Sequence, residues 1–179
     1  MDRTVSPRTW LMRGAFLGLA LLIMFFQLIP LDTVPRRWAP PDLLIGFAFA
    51  WVLRRPDYVP VLSIAAVMLM ADLLFGRPPG LMALLVVLGC EYLRGRAAGL
   101  GETGFVGEWI AVCLTLLGIT VLNRLVLGIL AVQQAPLVLS LIQMVVTMLS
   151  YPVLAFVTQT LMGVRKPAPG NAGALGVSP

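Results

Sequence analysis

The stretch VMLMADLLFGRPPGL, residues 67–81, sets a single carboxylate, Asp72, near the end of a strongly apolar run. An ionised carboxylate in an apolar medium is costly unless a partner compensates its charge. The short side chain cannot reach an interface as Lys or Arg can, and the C-terminal end of a helix disfavours an anion. Two partners are therefore expected as alternatives: Arg124, a cation at similar depth, or the start of the helix that follows RPPG.

Apolar runs of this kind recur along the whole chain. Of its residues 59% are hydrophobic and 12% charged, and the mean hydropathy is +0.94, whereas soluble domains carry about 25% charged residues. The composition predicts an all-α integral membrane protein. The net charge of +5 comes from basic residues in short gaps between apolar runs, which is typical of a positive-inside bias rather than of a nucleic-acid groove.

Residue types narrow the chemistry. The chain has no His, which excludes a Ser-His-Asp triad and the commonest zinc ligand. Cys90 and Cys113 are interpreted as small buried hydrophobes. We therefore expect no enzymatic activity, no metal site and no cofactor.

Six transmembrane helices are predicted from the length of the apolar runs. Their expected bounds are about 10–31, 40–54, 58–76, 79–94, 107–132 and 136–164. Together they form a single membrane domain over residues 1–166, and the Pro- and Gly-rich tail 167–179 is predicted to be disordered.

Two segments allow a different interpretation. Arg3, Arg8 and Arg13 around the start of the first run resemble the basic start of a signal peptide, but no cleavage-like motif follows, so an uncleaved span is favoured. Residues 95–107 are interpreted as a glycine-rich polar loop. Its GLGETG, residues 99–104, matches a dinucleotide fingerprint but follows no strand, which favours the loop over a nucleotide site.

The basic flanks predict the orientation of the six spans. One set of flanks holds Arg3, Arg8, Arg13, Arg54, Arg55, Arg94, Arg96, Arg165 and Lys166, and the other holds Arg36, Arg37 and Arg77. The richer set is assigned to the cytoplasm, with both termini. Omitting the short second run would give five spans and move Arg165 and Lys166 to the opposite side.

Other polar residues lie in or beside the apolar runs. Asp42 follows two prolines and is expected to be a helix N-cap. Glu91 is expected to pair with Arg94 at i,i+3. The functional or structural candidates inside the membrane are Asp72, Arg124, Asp42 and Asn123.

Small residues provide candidate packing faces. Gly14 and Gly18 form one small-xxx-small pair, and Gly46 and Ala50 form another, both expected to be available to partner helices. Trp51 is interpreted as an interfacial aromatic residue.

Several of these residues occur in a pattern that resembles a known family. The segment PPDLLIGFAFAWVLRRPDYVPVLSIAAVMLMADLLFGRPPGLMALLVVLGCEYL, residues 40–93, resembles the central part of the bacterial rod shape-determining protein MreD family. TMLSYPVLAF, residues 147–156, is similar to that family's last span. The matching positions are Pro41–Asp42, Trp51, Pro56, Asp72 with Gly76, and Tyr151–Pro152; Gly76 and Pro152 are further helix-packing candidates.

The resemblance implies a non-enzymatic scaffold in the bacterial inner membrane that organises lateral peptidoglycan synthesis and maintains rod shape. The implied partners are an MreC-like single-span protein, the MreB cytoskeleton, the glycosyltransferase RodA and a class B penicillin-binding transpeptidase. The family fold is similar to six-helix substrate-binding subunits of energy-coupling-factor vitamin transporters, which supplies an alternative function. The short outer connectors favour the scaffold.

Overall fold

The structure is a computed structural model that describes residues 7–29, 39–102 and 104–161. Its helices are α1 (Pro7–Leu28), α2 (Leu43–Arg54), α3 (Val61–Leu74), α4 (Leu81–Glu102), α5 (Gly104–Ile129) and α6 (Leu137–Leu161), with one 3-10 turn at Pro56–Tyr58. Every regular element in these ranges is helical, which confirms the all-α prediction. The tail, Arg3 and residues 30–38 lie outside the described residues.

Within the part of the chain that the structure describes, three helices are long and apolar enough to cross a membrane. They are α1, α5 and the α6 segment Leu137–Thr160, and all three are compatible with a membrane location. The two shorter apolar helices, α2 and α3, have 12 and 14 residues. The number of spans stays a prediction.

The prediction of a glycine-rich loop at residues 95–107 is wrong for most of that segment, which is helical. Helix α4 continues through Glu102, and α5 begins at Gly104, whose φ is +71°. Arg, Ala, Leu and Glu in RGRAAGLGE favour a helix, and each glycine weakens it by only about 1 kcal/mol relative to Ala. Most of GLGETG therefore lies in a helix, with no strand before it in the described chain.

The short helix α2 forms the centre of the bundle. All residues from Leu44 to Arg54 are buried, with α6 and α4 as its main neighbours. A helix that is apolar on every side needs neighbours on every side. The interfacial position expected for Trp51 is wrong for this reason: its side chain is fully buried, with ring centroids 5.7 Å from Phe16 and 5.4 Å from Phe47.

The two glycine pairs have different surroundings. A Cβ on Gly46 would lie 2.7 Å from Leu154 Cδ1, so the Gly46 and Ala50 face is used by α6 of the same chain rather than left for a partner. A Cβ on Gly14 or Gly18 would meet no atom within 4 Å. That side of α1 is open.

Candidate functional site

An internal charge cluster, formed by Arg54, Glu108 and Tyr151, joins three helices. Arg54 Nη1 donates to Glu108 Oε1 at 2.7 Å, and the Tyr151 hydroxyl donates to the same oxygen at 2.5 Å. Arg54 Nη1 also lies 3.3 Å from the Ala50 carbonyl oxygen and 3.4 Å from Tyr151 Oη. The side chains of Arg54 and Glu108 are 4% and 1% exposed, so the pair is sheltered from water.

The cluster was not predicted from the sequence. The basic flanks place Arg54 on the cytoplasmic side, and nothing in that pattern singles out Glu108 at the start of the fifth span. One sequence signal points to the pair: Arg54 and Glu108 carry opposite charges and fall at the same expected side of the membrane, at the end of the second span and the start of the fifth. Because Arg54 ends α2, Glu108 lies in the first turns of α5 and Tyr151 lies within α6, the cluster fixes the relative positions of these helices.

Asp72 holds the turn between α3 and α4. Its Oδ2 accepts hydrogen bonds from the backbone N–H groups of Gly80 and Ala83, both at 3.1 Å. Gly80 is the N-cap residue of α4 and has no side chain to cap the helix, so Asp72 supplies the acceptor from another helix. Of the two expected partners, the structure gives Asp72 the start of α4, and its side chain is buried.

The backbone of Asp72 belongs to the same turn. Its carbonyl oxygen accepts from Arg77 N at 2.9 Å, and Gly76 N lies 3.4 Å from the Leu73 carbonyl oxygen. Gly76 has φ +63°, so these bonds form the Schellman motif in which glycine ends a helix. Gly76 therefore acts in the turn, and a Cβ there would contact nothing within 4 Å, unlike the packing role expected for it.

Arg124 has different partners from those considered for it. Its Nη1 donates to Ser140 Oγ at 2.7 Å and to the Ala135 carbonyl oxygen at 3.3 Å. These contacts tie the end of α5 to the start of α6. Arg124 and Asn123 line a cavity of about 310 Å³ where α2, α4 and α6 begin and α5 ends, which we term the end cavity.

Asp42 lies at the edge of the end cavity and is the N-cap of α2, as expected. Its Oδ1 accepts from Ile45 N at 3.3 Å, and its own backbone N–H donates to Thr147 Oγ1 at 2.8 Å. The other carboxylate oxygen lies 3.5 Å from Arg77 Nη2. Asp42 thereby connects α2 to α6 and to the α3–α4 turn.

The remaining polar and packing candidates lie elsewhere in the bundle. Glu91 pairs with Arg94 at 2.7 Å, with the i,i+3 spacing expected. Pro152 lies inside α6. Cys90 is buried and Cys113 half-buried. Among the described residues, no three His, Cys, Asp or Glu side chains come together as a metal site.

Comparison of the chain with models of protein families, with curated proteins and with solved structures gives no match.

Proposed function

We propose that the chain is a multi-pass scaffold subunit of the bacterial inner membrane, of the MreD type. It crosses the membrane six times with both termini in the cytoplasm. It organises lateral peptidoglycan synthesis through side-on contacts with an MreC-like single-span protein, and through it with MreB, RodA and a class B transpeptidase. The resemblance in residues 40–93 and 147–156 motivates the proposal.

One observation carries it: the two segments of the resemblance bind each other. Asp42, at the start of α2, donates its backbone N–H to Thr147, the first residue of TMLSYPVLAF. Arg54, at the other end of α2, contacts Tyr151 in the same segment at 3.4 Å. Residues that are about a hundred positions apart in sequence thus form one internal framework, which supports a common pattern over a chance likeness between two apolar runs.

The outward surface supports lateral binding. In the most apolar stretches of α1, α5 and α6, only 17%, 22% and 11% of the residues are buried inside the bundle. Large apolar side chains cover these faces, for example Leu114 and Phe156, at 60% and 67% exposed. Such faces fit lipid and partner helices, and the open Gly14 and Gly18 pair lets a helix approach α1 closely.

Affinity purification in mild detergent tests the proposal. The tagged chain is expected to recover an MreC-like single-span protein from its native membrane. Substituting Gly14 and Gly18 together with leucine should lower that recovery several-fold, because the side chains block close helix approach. Leucine substitution of Gly95 and Gly99 is the matched control and should leave recovery unchanged, because this pair has the same spacing and equally open surroundings but lies beyond the apolar part of α4. Failure to recover any such protein would contradict the scaffold.

A second candidate function is favoured by the end cavity. At about 310 Å³ it falls at the small end of the range of small-molecule sites, about 300–1,000 Å³. A vitamin-type binding subunit of an energy-coupling-factor transporter would use such a pocket. The same purification separates the two functions, because the transporter subunit would recover an ATPase cassette instead.

The proposed orientation predicts opposite labelling of two cysteine variants. Gln133→Cys, between α5 and α6, should react with a membrane-impermeant maleimide in intact cells. Arg96→Cys, on an exposed part of α4, should react only after the membrane is permeabilised. The unsubstituted chain, with Cys90 and Cys113, gives the background. Labelling of Arg96→Cys alone in intact cells would reverse the orientation.

A further inference from the structure

We propose that the end cavity binds the anionic phosphate group of an amphiphile, with Arg124 as its main charge partner. The inference concerns a ligand of the chain itself and does not depend on its protein partners. It stands on the charges around the cavity, on the helices that begin there and on the change from polar to apolar lining along its α5 wall.

The charges leave one cation uncompensated. Among the described residues, two guanidinium groups line the cavity, Arg77 and Arg124, together with one carboxylate, Asp42. Arg77 lies 3.5 Å from Asp42. In the described ranges, no carboxylate comes within 4 Å of Arg124, whose Nη1 donates to two neutral oxygens. The planar guanidinium matches the geometry of phosphate oxygens and can donate to two of them at once.

The helix ends add to the same field. Three helices begin at the cavity, and the N-terminal end of each carries partial positive charge. Asp42 caps α2 and Asp72 caps α4. In the described chain, α6 has no acidic residue in its first turn, and its start lies next to Arg124 through Ser140. An anion in the cavity would therefore place at the start of α6 the negative charge that Asp42 and Asp72 place at the starts of α2 and α4.

The walls favour a ligand with an apolar part. Along α5 the lining changes from Leu116 and Ile119, both at least 95% buried, to Asn123 and Arg124 near the helix end. Facing α6 contributes the polar residues Ser140, Gln143 and Thr147 together with Met144, so the change in lining belongs to the α5 wall. This gradient suits a phosphate ester that is attached to a hydrocarbon chain, such as an anionic lipid.

Native mass spectrometry of the delipidated full chain in detergent tests the proposal, with dioleoylphosphatidylglycerol and dioleoylphosphatidylcholine as probes. The anionic lipid should bind at least about tenfold more tightly than the zwitterionic one. Arg124→Gln should remove about tenfold or more of the anionic lipid's affinity, as for loss of a hydrogen bond to a charged group. Arg96→Gln, on exposed α4, is the control and should change nothing.

Asp42→Asn separates recognition from folding. Asn caps a helix as well as Asp, but it removes the only carboxylate among the described residues that line the cavity, so phosphatidylglycerol should bind more tightly. A purely structural role would make Asp42→Asn and Arg124→Gln both weaken binding, and that result overturns the proposal. Equal binding of the two lipids, or no effect of Arg124→Gln, overturns it as well.

Competition with inorganic phosphate distinguishes a site for a lipid headgroup from a site for free phosphate. Displacement of phosphatidylglycerol by millimolar phosphate, lost in Arg124→Gln, supports a site that recognises phosphate alone. Resistance to phosphate, with displacement by excess phosphatidylglycerol, supports a lipid site to which the apolar walls contribute.

Discussion

Glu108→Leu is expected to cause one of the largest losses of folded protein of any single substitution in the chain. The change leaves the Arg54 guanidinium, 4% exposed, without its carboxylate and leaves the Tyr151 hydroxyl without its acceptor. Removing one partner of a buried ion pair costs about 3–5 kcal/mol in soluble proteins. The expected result is a large drop in the unfolding temperature in detergent and in the amount that accumulates in the membrane.

Glu91→Leu is the matched control for Glu108→Leu. It removes a carboxylate of the same type from an ion pair of the same length, 2.7 Å to Arg94, but the Glu91 side chain is 42% exposed. Exposed pairs contribute about 0–1 kcal/mol, so this variant should stay close to the unsubstituted chain. Tyr151→Phe should fall between the two, because it removes the hydroxyl's two hydrogen bonds, to Glu108 and from Arg54, but no charge.

A double variant tests the coupling within the charge cluster. Arg54→Met combined with Glu108→Leu should lose less stability than the sum of the two single variants, since neither charge is then left alone in the interior. Strict additivity, or a Glu108→Leu variant as stable as Glu91→Leu, would show that water reaches this site and that the cluster holds nothing in place.

Local features of the fold were readable from the sequence, because their causes lie within a few residues. Pro41 followed by Asp42 predicted the N-cap of α2, and the carboxylate accepts from Ile45, three positions on. Glu91 and Arg94 predicted their own pair for the same reason. The apolar runs likewise predicted helices at α1, α5 and α6, with ends that differ from the structure by a few residues.

Features that depend on neighbours in space could not be predicted correctly from the sequence. Trp51 near the end of an apolar run is typical of an interface, but α2 is enclosed on all sides and its tryptophan is buried. Arg54 is predicted only as part of a basic cytoplasmic flank, and its burial does not follow from the sequence because its partner, Glu108, lies 54 positions away. Composition likewise could not show that the glycines of 95–102 would be outweighed by the helix-forming residues between them.

Asp72→Leu is expected to be the second severe substitution, through the start of α4. The Gly80 and Ala83 N–H groups would both lose their acceptor, and an unsatisfied buried donor costs roughly 1–3 kcal/mol. Asp72→Asn keeps an acceptor oxygen and loses only the attraction between charge and helix dipole, about 0.3–1 kcal/mol and up to ~2 when buried. Unfolding temperatures should therefore fall in the order native, Asn, Leu, with Asp57→Leu, at an exposed turn, as control.

Combining Asp72→Leu with Arg124→Leu decides between the two partners that the sequence allowed. The Asp72 carboxylate bonds the start of α4, whereas Arg124 bonds Ser140 and the Ala135 carbonyl oxygen. Because the two side chains share no hydrogen-bond partner, their effects on the unfolding free energy should add to within about 0.5 kcal/mol. Relief of the Asp72→Leu defect by Arg124→Leu would instead mean that the carboxylate and the guanidinium compensate each other in the membrane. It would move the function of the stretch 67–81 from capping α4 to pairing α3 with α5.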